Sequence, residues 1–413
     1  MSQNVLQKVN VPVGQRLDAE LVSQITYMIK FINEKVESIE QVDKGLVIHY
    51  KGDDTNKLLT QIYSVLDRVV KKRSNTIKKS IVFTRDIQVP EHRNIMDELL
   101  NKRIVKKAGD GVYTFHEPFS LIMEFLDYLI VQFIAIPLNA RKEIYPAIIP
   151  IKTLNKTNYF SSFAQNIHFL THLQEDLDAI SSFAQQVEAN HGLKEKQIEE
   201  APFSHAKYVN NPAVCYHCYE SLGHTALKEN QIITACGKCN RYEGNNHDEF
   251  GRLLDFTMRE VIFVGDDEFI KQKRQESIDL LEDMVDFWGI NCQFENANDP
   301  FFTDDNRVKA TLQRAYEMKY ELKMRIPFGK HKLAVCSSNY HGDVLGKSFY
   351  IQTGGQFAST GCLAFGLERW TLGFLAQYGI DKSKWPKSFL RGFLQWEANG
   401  SMDADFTLSA DSH

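Results

Sequence analysis

All seven cysteines of this 413-residue chain lie between Cys215 and Cys362. The surrounding stretch, residues 205–380, is punctuated by glycines that separate β-branched and aromatic runs, with charged residues interleaved among the apolar ones. That texture predicts a mostly antiparallel sheet with one face lining a site, hence an α+β fold. An odd cysteine count in a long chain argues against a secreted disulfide scaffold and for a reducing compartment, so a cytoplasmic location is expected, with cysteines that bind metal or fill space. Length alone predicts two or three domains. An apolar share of 43% and a charged share of 24% exclude disordered and low-complexity classes.

The net charge of −5 is unevenly spread. Residues 1–110 carry 19 Lys and Arg against 14 Asp and Glu, a net of +5, and the remainder 29 against 39, a net of −10. This shift suggests a smaller N-terminal α/β domain over 1–112, a larger acidic domain over 113–396 and a polar tail over 397–413. Within the first segment, Leu21, Ile25, Met28, Ile29, Ile32 and Val36 recur at helical spacing. A strand follows at 46–48, a helix from Asn56 to about Lys72, and a strand at 80–84. Lys71, Lys72, Arg73, Lys78, Lys79, Lys102, Arg103, Lys106 and Lys107 form either a solvated basic face or a docking surface for an anionic partner, RNA or acidic protein.

Residues 119–138 have the length of a membrane span, but Glu124, Asp127 and Gln132 interrupt them. A central acidic residue costs roughly 2.5–3.5 kcal/mol on insertion, so a buried core or dimer-interface helix ending near Pro137 is expected, with no membrane partner. The following Ile144–Pro150 run, with prolines at 146 and 150, suits a sheet edge or an interface better than a central strand.

Two motifs compete for the cysteines. Cys215-x-x-Cys218, seventeen residues, then Cys236-x-x-Cys239 fits a four-cysteine zinc ribbon, which would make the protein a non-catalytic binding module. The second half runs directly into Gly237-Lys-Cys-Asn-Arg-Tyr-Glu-Gly244, a polar loop, and Arg252-Leu-Leu-Asp-Phe-Thr-Met-Arg-Glu-Val-Ile-Phe-Val-Gly265. The Arg-x-Glu, the loop and the Phe-x-x-x-Glu entering an apolar strand resemble motif 2 of the class II aminoacyl-tRNA synthetases. Gly361-Cys-Leu-Ala-Phe-Gly-Leu-Glu-Arg-Trp370 resembles their motif 3. The apolar helix ending near Pro137, with the strand bearing Pro146, looks like motif 1, which forms the dimer interface in that fold. The resemblance spans about residues 115–380 and implies a class II antiparallel sheet flanked by helices, in a homodimer.

Asn211-Pro-Ala-Val-Cys-Tyr216, Ala334-Val-Cys-Ser-Ser-Asn-Tyr-His341 and Thr360-Gly-Cys362 further resemble the zinc-containing seryl-tRNA synthetases of methanogens and their truncated relatives, the amino acid:carrier-protein ligases. By that resemblance Zn2+ is held by Cys215, Glu243 and Cys362, with a fourth position open for the substrate's amino group. ATP, with Mg2+, is held by Arg241 at the α-phosphate, Arg252 at the terminal phosphates and Arg369 at the γ-phosphate. Phe256 stacks on adenine, or is simply core, and Glu260 sits by the α-phosphate or Mg2+. Arg241 and Arg369 are the catalytic pair. Arg259 is an ion-pair candidate, and Cys218, Cys236, Cys239 and Cys292 read as small buried residues. The implied activity is adenylation of a small amino acid (Gly, Ala or Ser), then transfer to the phosphopantetheine thiol of an acyl carrier protein. The alternative acceptor is tRNA, as in a seryl-tRNA ligase.

Overall fold

The computed structural model describes residues 6–67, 69, 80–91, 93–244, 246, 251–297, 318–328 and 331–399. Lys71, Lys72, Arg73, Lys78, Lys79 and most of the polar tail lie outside the described residues.

The N-terminal unit is built on the three-stranded antiparallel sheet of Gln7–Pro12, Gly45–Tyr50 in the centre and Val36–Val42. The Ala19–Ile32 helix starts at Asp18, whose carboxylate accepts from Leu21 N at 2.9 Å, satisfying a backbone donor left over by the first turn. Its apolar stripe, Leu21, Ile25, Met28 and Ile29, packs with Leu58, Ile62 and Val65 of the Thr55–Leu66 helix over the sheet. Val36, expected to prolong the helix, begins a strand instead. Asn33 leaves helical geometry and its side chain accepts from Lys35 N at 3.1 Å, a local bond that competes with helix propagation.

The second sheet has eight strands, in the order Ile81–Arg85, Cys292–Asn296, Lys319–Ile326, His331–Gly342, Ser359–Gly366, Asp255–Gly265, Gln231–Asn240 and Arg141–Glu143. Neighbours are antiparallel except the last pair. The expected division at residue 112 therefore falls in the wrong place. Ile81–Arg85 is an edge strand of the large sheet, with Phe83 stacked on Phe294 at 5.3 Å. Val89, Ile95, Leu99, Ile104 and Val105 belong to the large core. The small core ends at Leu66. Charge marked a boundary that packing does not respect.

Alternation along the central strands sorts the two faces. Val261, Phe263, Leu363 and Phe365 face the helices Phe119–Ile130, Asp267–Trp288 and Leu367–Tyr378, forming the main core. Met258, Ile262, Val264, Cys362 and Ala364 face the other way, toward the Cys215–Ser221 and Val344–Phe349 helices. Ile148–Pro150 sits at the edge of a separate small sheet, where its proline costs no ladder bond.

The acidic residue inside the apolar helix now has a partner. Arg259 grips Asp127 through Nε at 2.6 Å and Nη2 at 2.5 Å, a two-pronged pair with Arg259 almost wholly buried. Among the described residues no helix is long and apolar enough to cross a membrane. Removing one partner strands the other charge, so Asp127→Ala is expected to destabilise the protein by about 3 kcal/mol in denaturant unfolding, whereas an exposed pair such as Lys271–Asp267 is worth about 0.5 kcal/mol.

Candidate active site

The site lies on the second face of the large sheet, where three neighbouring strands bring chemistry together. Glu260 lies opposite Ala364 and Cys362 opposite Ile262, so Glu260 and Cys362 are diagonal neighbours on one face. Cys215 comes from above, at the start of the Cys215–Ser221 helix. Val214 N and Cys215 N donate to Glu260 Oε1 at 3.0 and 3.4 Å, which docks the helix onto the strand.

The Sγ atoms of Cys215 and Cys362 and a Glu260 carboxylate oxygen lie within 4.8 Å of one another, and this is the one group of three or more such side chains among the described residues suited to a metal. All three are buried, and Glu260 Oε2 has no hydrogen-bond partner. The Cys215 thiol is pushed well up, first by its hydrogen bond with Cys362 and then by burial. Burial likewise raises the Glu260 carboxyl. Three acidic groups this close cannot all ionise without a positive charge among them. Two thiols and a carboxylate, in a dry site with an orphaned oxygen, fit a borderline-soft divalent cation such as zinc.

The four-cysteine ribbon is excluded by strand geometry. Cys236 and Cys239 are an odd number of residues apart on Gln231–Asn240, so they point to opposite faces. Cys236 packs with the main core and Cys239 with the site-side cluster. Burial raises both thiols, and also Cys218, which is hydrogen-bonded to Tyr145.

The two carboxylates expected at the site exchange places. Glu243, expected with the cysteines, lies beyond the end of its strand with Oε2 at 3.4 Å from Arg252 Nη1. Glu260, expected at the phosphates, takes the position beside Cys215 and Cys362. The reason is the pleat. Glu260 shares the inward parity of Met258 and Ile262, whereas Glu243 follows the last paired residue, Asn240.

Alongside this cluster runs a row of arginines. Phe256 shares a strand face with Glu260, and the Arg241 guanidinium carbon stands 5.4 Å above its ring. Arg241 Nε donates to Pro212 O at 2.9 Å, fixing the side chain over the strand ends. Arg369, in the first turn of Leu367–Tyr378, donates through Nε to Gly251 O and through Nη1 to Ala334 O at 3.3 Å. Gly251 has φ +115°, a backbone conformation that favours glycine. The Arg369 guanidinium is held below its usual basicity by burial and then by Arg252 and Arg241 nearby. Three guanidinium groups converge with Glu243 as an acidic neighbour, an arrangement suited to a polyanion.

Three contributors were not singled out from sequence. Glu368 accepts from Thr257 N at 2.8 Å with each of its oxygens and from the Thr257 hydroxyl, tying the helix bearing Arg369 to the strand bearing Phe256. Asn339 Nδ2 lies 3.4 Å from Cys362 Sγ. Tyr27, from the N-terminal helix, stacks on Arg252 with 4.4 Å from guanidinium carbon to ring centre. Glu368 and Asn339 stand inside the quoted motifs, but Tyr27 is far away in sequence and carries no local signal.

Almost the whole chain superposes on M. kandleri SerRS, solved with A. aeolicus tRNASec, with a TM-score of 0.71, 17% identity, and coverage of 97% of this chain and 80% of that one. The fold is that of a class II synthetase. No family model matches the chain. Among curated proteins it is homologous to the type-2 serine–tRNA ligase of Methanococcus aeolicus, 23% identical over 68% of this chain and 55% of that one. It is also homologous to amino acid–[acyl-carrier-protein] ligase 1 of Bradyrhizobium diazoefficiens, 26% identical over 72% of this chain and 89% of that one. The chain thus spans about half the length of the first of these relatives and nearly all of the second.

Proposed function

We propose that the protein is a ligase that activates a small amino acid with ATP and passes the aminoacyl group to the phosphopantetheine thiol of a carrier protein. What supports this reading above all is one shared surface: Phe256, Glu260 and Cys362 on a single sheet face, with Arg241 over Phe256 and Arg369 entering beside them.

In the first step a carboxylate oxygen of the amino acid attacks the α-phosphorus of ATP. A new O–P bond forms, the bond to the β-phosphate bridging oxygen breaks, and pyrophosphate leaves with its electron pair. Negative charge builds on the α-phosphate and the leaving group, so the useful groups are fixed cations that need no reorganisation. Arg241 serves the α-phosphate with a fork of parallel donors, Arg252 and Arg369 serve the leaving pyrophosphate, and Phe256 offers a face for adenine. Mg2+ accompanies the nucleotide. Cys215, Glu260 and Cys362 would hold zinc, which as a Lewis acid with an open position supplies an anchor for the substrate amine. Fixing the amine aims the carboxylate and limits side-chain volume, which points to glycine, alanine or serine. In the second step the carrier thiolate attacks the acyl carbon, the thioester forms and AMP departs, so no nucleophile is required of this chain.

The match over 89% of the carrier-protein ligase's length supports a thiol acceptor. A second reading, transfer to tRNA, draws on the match of almost the whole chain to M. kandleri SerRS. Amino-acid-dependent ATP–pyrophosphate exchange should appear with at least one of the three small amino acids and disappear when zinc is stripped. No exchange with any of them overturns the reading. Adding a phosphopantetheinylated carrier protein to the active mixture should yield an aminoacyl thioester, whereas aminoacylation of tRNA alone would move the assignment to the second reading.

A further inference from the structure

The N-terminal unit reaches the arginine row through one helix. From Ala19–Ile32, Tyr27 and Phe31 stand one turn apart, with ring centres 6.2 Å from each other, and both meet the segment that joins the two motif 2 strands. Phe31 packs edge-on to Tyr242 at 5.8 Å, and a Cβ on Gly244, whose φ is +59°, would lie 3.0 Å from Phe31. Asn246 Nδ2 donates to the Tyr27 carbonyl at 3.2 Å. The Tyr27 ring covers a face of the Arg252 guanidinium, and its hydroxyl is hydrogen-bonded to Glu243, which in turn lies 3.4 Å from Arg252 Nη1. Tyr27 is buried by this arrangement.

We infer that Tyr27 is a positioning residue for Arg252, so that the N-terminal unit sets the geometry of triphosphate binding within its own chain; the inference rests on the adenylation reading above. A long arginine side chain pays rotamer entropy to be held in one place. A ring stacked on the guanidinium plane restrains it while using none of its N–H donors, and Glu243 restrains one edge. The hydroxyl link from Tyr27 to Glu243 fixes that carboxylate in turn. The N-terminal unit then acts on the first chemical step, not on acceptor docking alone.

The test uses the full chain. Parent, Tyr27→Phe and Tyr27→Leu are compared for the KM of ATP and of the amino acid in pyrophosphate exchange, with titration of a non-hydrolysable ATP analogue alongside. Tyr27→Leu should raise the KM for ATP roughly tenfold and weaken the analogue in parallel, with the amino acid KM unchanged. Tyr27→Phe, which keeps the ring, should recover most of this and leave an ATP-selective rise of about threefold. An ATP KM for Tyr27→Leu within about twofold of the parent, or equal rises for both substrates that the ring does not rescue, overturns the inference. If Tyr27→Leu fails to fold, Tyr27→Phe decides alone: no ATP-selective shift means Tyr27 only packs. Failure of the adenylation reading itself is visible earlier, as a parent that neither binds the analogue nor exchanges pyrophosphate, and the inference falls with it.

Discussion

Glu260→Ala is expected to abolish both bound zinc and pyrophosphate exchange, while Glu243→Ala keeps its zinc. Glu260 is the carboxylate beside the two thiols, with one oxygen unpartnered and the other accepting from Val214 and Cys215. Its loss removes a ligand and also the contact that seats Cys215. The fall in exchange should exceed the roughly 10–100-fold typical of partners one layer out from a metal. Glu243 faces Arg252, so its removal should raise the KM for ATP and leave metal content, measured by elemental analysis, at the parent level. Zinc lost from Glu243→Ala and retained by Glu260→Ala would reverse the assignment.

Arg369→Ala carries the second large effect. Its guanidinium is shared between Gly251 O and Ala334 O and held close to Arg252 and Arg241 despite their mutual repulsion. A cation kept where its neighbours oppose it is one that an anionic ligand stabilises. Loss of one such preorganised group typically costs about 10²–10³ in kcat, and exchange should fall by that amount with zinc content unchanged. Arg369→Lys should recover little, since an ammonium cannot reproduce the planar fork. A variant with parent-like exchange would remove Arg369 from the reacting assembly.

Much of the fold and part of the site could be read from residue order because motif 2 and motif 3 are local. The Phe256-to-Glu260 spacing and the Gly366-Leu-Glu-Arg369 turn each sit on one strand end or one helix start. Cys215 and Cys362, which the structure brings together, each stand in a quoted motif. The choice between Glu243 and Glu260 was not legible, because it depends on where pairing stops. Asn240 is the last residue matched to the opposite strand, and Glu243 lies past it with no pleat to aim it inward. The domain limit was misjudged for a different reason: charge reports what faces water, whereas Phe83 and Val89 report what faces the core. Tyr27 could not be found at all, since its role depends on a contact more than two hundred residues away.

The neighbours Arg259 and Glu260 make the central strand self-checking. One points into the helix-covered core to meet Asp127, the other into the cysteine cluster. A slip of a single residue would bury Glu260 among apolar helices with no cation to meet and push Arg259 between two thiols. Both errors strand a charge in a dry environment, so misaligned pairings are penalised twice. The residues that equip this strand for chemistry therefore also proofread its assembly.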